Sequence, residues 1–114
     1  MNTSFSDRYG LTERDIQTLF GIFDDFREVK NVYLYGSRAK GTHKPGSDID
    51  LAIMDEDIPP KTIRAVKAEL EESNLPYYVD LTNFASLLHK GLAEHIRRVG
   101  IPFYKRERDF SYSR

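Results

Sequence analysis

The chain contains no cysteine, which excludes a disulfide framework and any thiolate-ligated metal centre. It also lacks an excess of charge of either sign, since 17 basic against 18 acidic side chains leave a formal net charge of −1. Holding long nucleic acid by charge alone requires a basic surplus, so no partner of that kind is expected. One local basic patch remains, formed by Arg38, Lys40, His43 and Lys44. No apolar run approaches the roughly 20 residues that cross a bilayer. The polar stretch from Met1 to Gly10 has no apolar segment like that of a signal peptide. A cytoplasmic protein without membrane contact is the expectation. The 114 residues, 39% of them hydrophobic, suffice for one packed core and not for two.

Hydrophobic spacing predicts an α+β chain. Thr12 with Asp15 three residues on reads as a capping box, with Asp where Glu or Gln is usual. Ile16, Leu19, Phe20, Phe23 and Phe26 then recur at helical spacing, giving a first helix to about Glu28. Asn31 to Tyr35 and Asp48 to Met54 read as strands. Pro59 and Pro60 suit a helix start, and Ile63, Val66 and Leu70 mark its buried face as far as Ser73. Tyr77 to Thr82 reads as a third strand. Phe84, Leu87, Leu88, Leu92, Ile96 and Val99 read as a third long helix, stopped by Gly100 and Pro102. Ile101 to Tyr104 is expected as a short edge strand, because Pro102 cannot donate to a ladder. The expected organisation is a flexible N-terminus over residues 1–10, one domain over 11–105 and a charged tail over 106–114. Within the domain, helices pack on a small mixed β-sheet.

The chemistry concentrates between the first two strands. Gly36-Ser37 follows the run Val32 to Tyr35, and ten residues later Asp48-Ile49-Asp50 opens the run Leu51 to Met54. Side chains alternate along a strand, so Asp48 and Asp50 project to the same face. Two neighbouring carboxylates repel each other unless cations sit between them. Hard divalent ions with oxygen ligands fit best, above all Mg²⁺, which keeps waters and shares substrate phosphates. Gly36 lets backbone N–H groups approach an anion closely, and Ser37 to Lys40 can open a short helix whose N-terminus favours phosphate. A turn alone accounts for Asp48 but not for a second carboxylate two residues later in an apolar strand. A structural hairpin needs two to five residues, whereas this connection is far longer.

The remaining polar residues carry less. Arg38, Lys40 and Lys44 taken singly read as solvated. Arg38 and Lys40 are two apart on the expected helix, so at most one of them points at a triphosphate. Lys44, in the loop, is the alternative. His43, His89 and His95 form no metal site, since no carboxylate stands at a useful offset from both helical histidines. Tyr33, Tyr35, Tyr77 and Tyr78 read as strand packing, with one base contact at most.

Gly36-Ser37-Arg38-Ala39-Lys40-Gly41 followed by Ser47-Asp48-Ile49-Asp50-Leu51 resembles the signature of the DNA polymerase beta-like nucleotidyltransferase superfamily. The short chain is most similar to the minimal nucleotidyltransferases, often encoded beside a small helical HEPN-type protein. The resemblance runs from about Thr12 to Tyr104 and implies a polymerase beta palm-like fold. It implies Asp48, Asp50 and Asp80 as catalytic residues and ligands of two Mg²⁺ ions, Asp80 being the third acidic position on a later strand. It further implies nucleotide contacts at Gly36, Ser37, Arg38 and Lys44, and ATP as the donor. Larger relatives append a domain that holds the acceptor, whereas only a ten-residue tail follows the last expected element here. The resemblance therefore implies half of a site, completed by a HEPN-type partner that is itself the acceptor in a toxin–antitoxin pair. Two alternatives stay open: a homodimeric small-molecule transferase of the aminoglycoside-modifying kind, and a non-catalytic module that neutralises its partner by binding alone.

Overall fold

The computed structural model describes residues 9–106. The expected flexible N-terminus and charged tail lie outside the described residues except at Tyr9, Gly10 and Arg106. Tyr9 and Arg106 are tied into the fold. Tyr9 is buried, and Arg106 donates to the carbonyls of Phe23, Asp24, Phe26 and Val29.

Helix α1 runs over Glu13–Asp24, opened by the Thr12–Asp15 capping box in both of its hydrogen bonds. It ends one turn before the expected limit at Glu28, where Asp24 and Asp25 place negative charge against the helix's negative end. Arg106 supplies the missing donors from the far end of the chain. Strand β1 covers Asn31–Tyr35, the single-turn helix α2 Gly36–Lys40, and strand β2 Ile49–Ile53. Helix α3 spans Pro60–Glu72 and strand β3 Val79–Asn83.

The expected third long helix is a correction. Phe84–Ser86 is a 3₁₀ turn, and helix α4 begins only at Lys90 and ends at Val99. Leu87 and His89 both hold extended backbone. The His89 ring accepts from the Leu92 N–H at 3.0 Å and so caps α4. Leu88, read as part of an apolar helical face, is 93% exposed. Strand β4, Ile101–Lys105, forms the edge strand expected from Pro102.

The sheet order is β3-β2-β1-β4. β1 pairs antiparallel with β2 and β4, whereas β2 and β3 run parallel. The parallel pair requires a crossover, and α3 provides it. One face of the sheet presents Val32, Leu34, Ile49, Leu51, Ile53 and Leu81 to α1 and α3, and this is the main core. The other face carries Tyr35 and Ala52, covered by Ile96 of α4 with Phe84 and Leu92 beside them. Two-sided burial explains why β2 reads as a nearly continuous apolar strand interrupted only at Asp50. No helix among the described residues is long and apolar enough to cross a membrane.

Candidate functional site

Gly36 ends β1 and starts α2 with φ of 77°, a left-handed conformation that an L side chain adopts only at a cost. A Cβ placed there would also collide with the Asp50 carboxylate. The turn is therefore glycine for two reasons, and the second concerns the site. Gly36→Ala is expected to destabilise by roughly 1–2 kcal/mol from the backbone alone, and further through the collision. Gly41 is the control, because its φ is 79° yet an added carbon meets nothing within 4 Å. Urea unfolding of Gly36→Ala and Gly41→Ala measures the difference. Equal losses would mean that Asp50 does not press on the turn.

The sheet register brings the acidic residues together. Asp50 lies opposite Tyr35 on one side and beside Asp80 on the other. Asp48 precedes the strand, where it is exposed. Asp50 has its carboxyl pushed up to about 6, first by burial and then by the charges of Asp80 and Asp48, with Arg38 pulling the other way. The Tyr35 phenol is pushed up as well, mainly by burial. Its hydroxyl lies 3.2 Å from Thr82 Oγ1, and its ring meets His95 edge-on at 6.4 Å.

These carboxylates fit a cation. Asp50 is half-buried among like charges, an arrangement that a divalent ion relieves. Among the described residues no three His, Asp or Glu side chains close into a ready-made cage. The donors at hand are carboxylate oxygens, the kind taken by hard ions such as Mg²⁺, whereas Zn²⁺ sites draw on nitrogen and sulfur as well.

Around the turn, Ser37 is half-buried and Lys44 is exposed in the loop. The Lys44 N–H donates to Ser47 Oγ at 2.9 Å. Arg38 and Lys40 do part company, with Lys40 at the surface, but Arg38 turns inward and is 2% exposed. The solvated reading of Arg38 is corrected. Its guanidinium donates to the carbonyls of Tyr9, Gly10, Ser47 and Asp48 and lies 4.6 Å from the centre of the Tyr77 ring. A fork spent mostly on backbone oxygens has little left for phosphate.

Sequence reasoning passed over Tyr35, Thr82 and His95 as site neighbours. The parity of β1 held a signal for the first, since Tyr35 faces Asp50 in any register that faces Leu34 with Leu51. Thr82 shares the face of Asp80 by strand alternation, whereas His95 depends on how α4 packs, which local pattern does not encode.

A family model described as polymerase beta, nucleotidyltransferase matches residues 17–109. The probable protein adenylyltransferase MntA of Haemophilus influenzae is 38% identical over 80 residues, which cover 68% of either chain. Among solved structures, a toxin–antitoxin with AMP-PNP superposes with a TM-score of 0.65 at 23% identity, covering 85% of this chain and 78% of that one. A mutant of the toxin–antitoxin MntA–HpeT gives 0.62 at 26% identity, covering 89% and 78%. The family match spans most of the chain and the relative is covered to two thirds, so this chain belongs to the polymerase beta nucleotidyltransferase family.

Proposed function

We propose that this protein transfers AMP from Mg²⁺–ATP to a hydroxyl of a HEPN-type helical partner in the cytoplasm, as the antitoxin of a toxin–antitoxin pair. The observation that carries the reading is the in-register placement of Asp50 and Asp80 beside the Gly36 turn. Similarity to a probable protein adenylyltransferase and to toxin–antitoxin assemblies supports a protein partner as the acceptor.

In this reading Asp48, Asp50 and Asp80 hold Mg²⁺, which when bound neutralises phosphate charge and eases ionisation of the attacking hydroxyl. The first N–H groups of a helix have no partner within it, so those at Gly36 and Ser37 receive the β- and γ-phosphates. The Ser37 hydroxyl adds a further donor, and Lys44 is the mobile cation at the loop. Asp80 takes the proton from the acceptor hydroxyl. The freed oxygen forms a bond to the α-phosphorus as the bond to the pyrophosphate oxygen breaks. Pyrophosphate leaves, and AMP stays as a phosphodiester on the partner.

The test is intact-mass spectrometry of the helical partner after incubation with this protein, ATP and Mg²⁺. The partner is expected to gain the mass of AMP with the native chain and to gain nothing with Asp80→Asn. A partner that stays unmodified and is still neutralised by Asp48→Asn would mean that binding alone is the function.

A further inference from the structure

Asp48 needs to be held in place, and the sheet does not hold it. The first ladder bond of β2 comes after it, from the Ile49 N–H to the Tyr78 carbonyl. The loop before it turns on its own short-range bonds, Ser47 N–H to the Lys44 carbonyl and Lys44 N–H to Ser47 Oγ. Gly46, with φ of 84°, adds freedom there. A carboxylate on such a loop, repelled by a neighbour, would swing towards water.

What ties this point to the rest of the fold is Arg38. Its Nε and Nη2 donate to the Ser47 carbonyl at 3.3 and 2.8 Å, and Nε also faces the Asp48 carbonyl at 3.3 Å. Its Nη1 donates to Tyr9 and Gly10 at 2.8 and 3.2 Å. The Tyr77 ring, two residues before β3, fixes the plane of the fork. Burying a guanidinium is costly unless its donors are satisfied. Here most of them are spent on the carbonyls either side of the Asp48 α-carbon and on the segment leading into α1. A lysine offers a point charge in place of that planar fork and cannot span both edges.

We propose that Arg38 is the positioning residue for Asp48: by gripping the Ser47 and Asp48 carbonyls it fixes the direction in which the Asp48 carboxylate leaves the backbone, and so completes the cation site beside Asp50. The inference rests on the cation-binding reading of these carboxylates and is independent of the acceptor. Arg38 touches neither nucleotide nor acceptor in this scheme. It acts through Asp48 alone, so its influence should vanish when Asp48 cannot bind a cation.

The experiment measures Mn²⁺ binding, as a paramagnetic substitute for Mg²⁺, to the full chain in the presence of ATP and without any acceptor. Arg38→Lys is expected to stay folded and to bind Mn²⁺ about 10–100-fold more weakly, the range for loss of an outer partner of a metal ligand. In an Asp48→Asn background, Arg38→Lys is expected to cause no further loss. A folded Arg38→Lys protein with native Mn²⁺ affinity overturns the proposal. So does an equal extra loss in the Asp48→Asn background, which marks a general structural role. Should Arg38→Lys fail to fold, Tyr77→Leu removes only the ring behind the fork and is expected to weaken Mn²⁺ in the same direction; unchanged affinity there also overturns the proposal. A native chain that binds no Mn²⁺ with ATP defeats the cation reading itself, an outcome distinct from a native chain that binds and a variant that matches it.

Discussion

Supplied with ATP and Mg²⁺ but no partner, the protein is expected to hold nucleotide and leave it almost unspent. The reason lies on the acceptor side. Asp80 is exposed on β3, the edge strand of the sheet, and Tyr78 just before it is 61% exposed. Among the described residues no strand flanks β3 on its outer side, and the cavity that Asp80 lines with Lys67, Glu71 and Tyr78 is about 60 Å³, so on the proposed reading an acceptor hydroxyl finds little here to orient it. Fixing two reactants in a near-attack geometry supplies roughly 7–11 kcal/mol of barrier lowering, equivalent to about 10⁵–10⁸ in rate. Water or free sugars should therefore react slower by a gap of that order than a docked partner. Single-turnover pyrophosphate release with and without the helical partner measures it. Comparable rates would place the acceptor pocket within this chain and favour a small-molecule substrate.

Asp50→Asn should abolish transfer while making the metal-free protein more stable at neutral pH. On the proposed reading, losing the charge that draws Mg²⁺ to the phosphates removes several kcal/mol of transition-state stabilisation, about a thousandfold or more in rate. Stability moves the other way because the folded carboxyl is raised from 3.8 to about 6. Between those values the native state binds more protons than the unfolded chain, so stability falls as pH rises. The penalty is complete above about 6 and absent below the unfolded value. Asparagine does not ionise and escapes it. Thermal unfolding should accordingly give the variant the higher midpoint at pH 7.5, with the two curves converging towards pH 4. Adding Mg²⁺ and ATP should raise the native midpoint and narrow the gap. A variant less stable than the native chain at pH 7.5 would show that Asp50 makes a favourable contact that outweighs its repulsion.

The parts of this site that lie close in sequence were legible there. Gly36 and Asp50 sit on adjacent antiparallel strands joined by one loop, so their spacing is fixed and readable. Asp80 is different, because its distance along the chain depends on the α3 crossover and its place beside Asp50 on a ladder of hydrogen bonds. Only its strand context and the family resemblance pointed to it. Arg38 was misread for a related reason. Its four carbonyl partners come from two distant segments, and nothing in the sequence beside it announces a buried fork. The helix expected from Phe84 to Val99 failed otherwise. Phe84 and Leu87 pack on the sheet from a 3₁₀ turn and an extended residue, while Leu92 and Val99 do so from α4. One apolar surface collected from two elements imitates the periodicity of a single helix.

The edge position of β3 has a dynamic consequence. A strand laddered on one side only opens at a lower free energy than the core it borders. When β3 peels from β2, Asp80 leaves Asp50 while the Gly36 turn remains at the end of β1. On the proposed reading, the nucleotide-binding half and the proton-accepting half thus belong to different cooperative units. Whatever lies along β3, adding a ladder to its free edge, would hold the second unit shut.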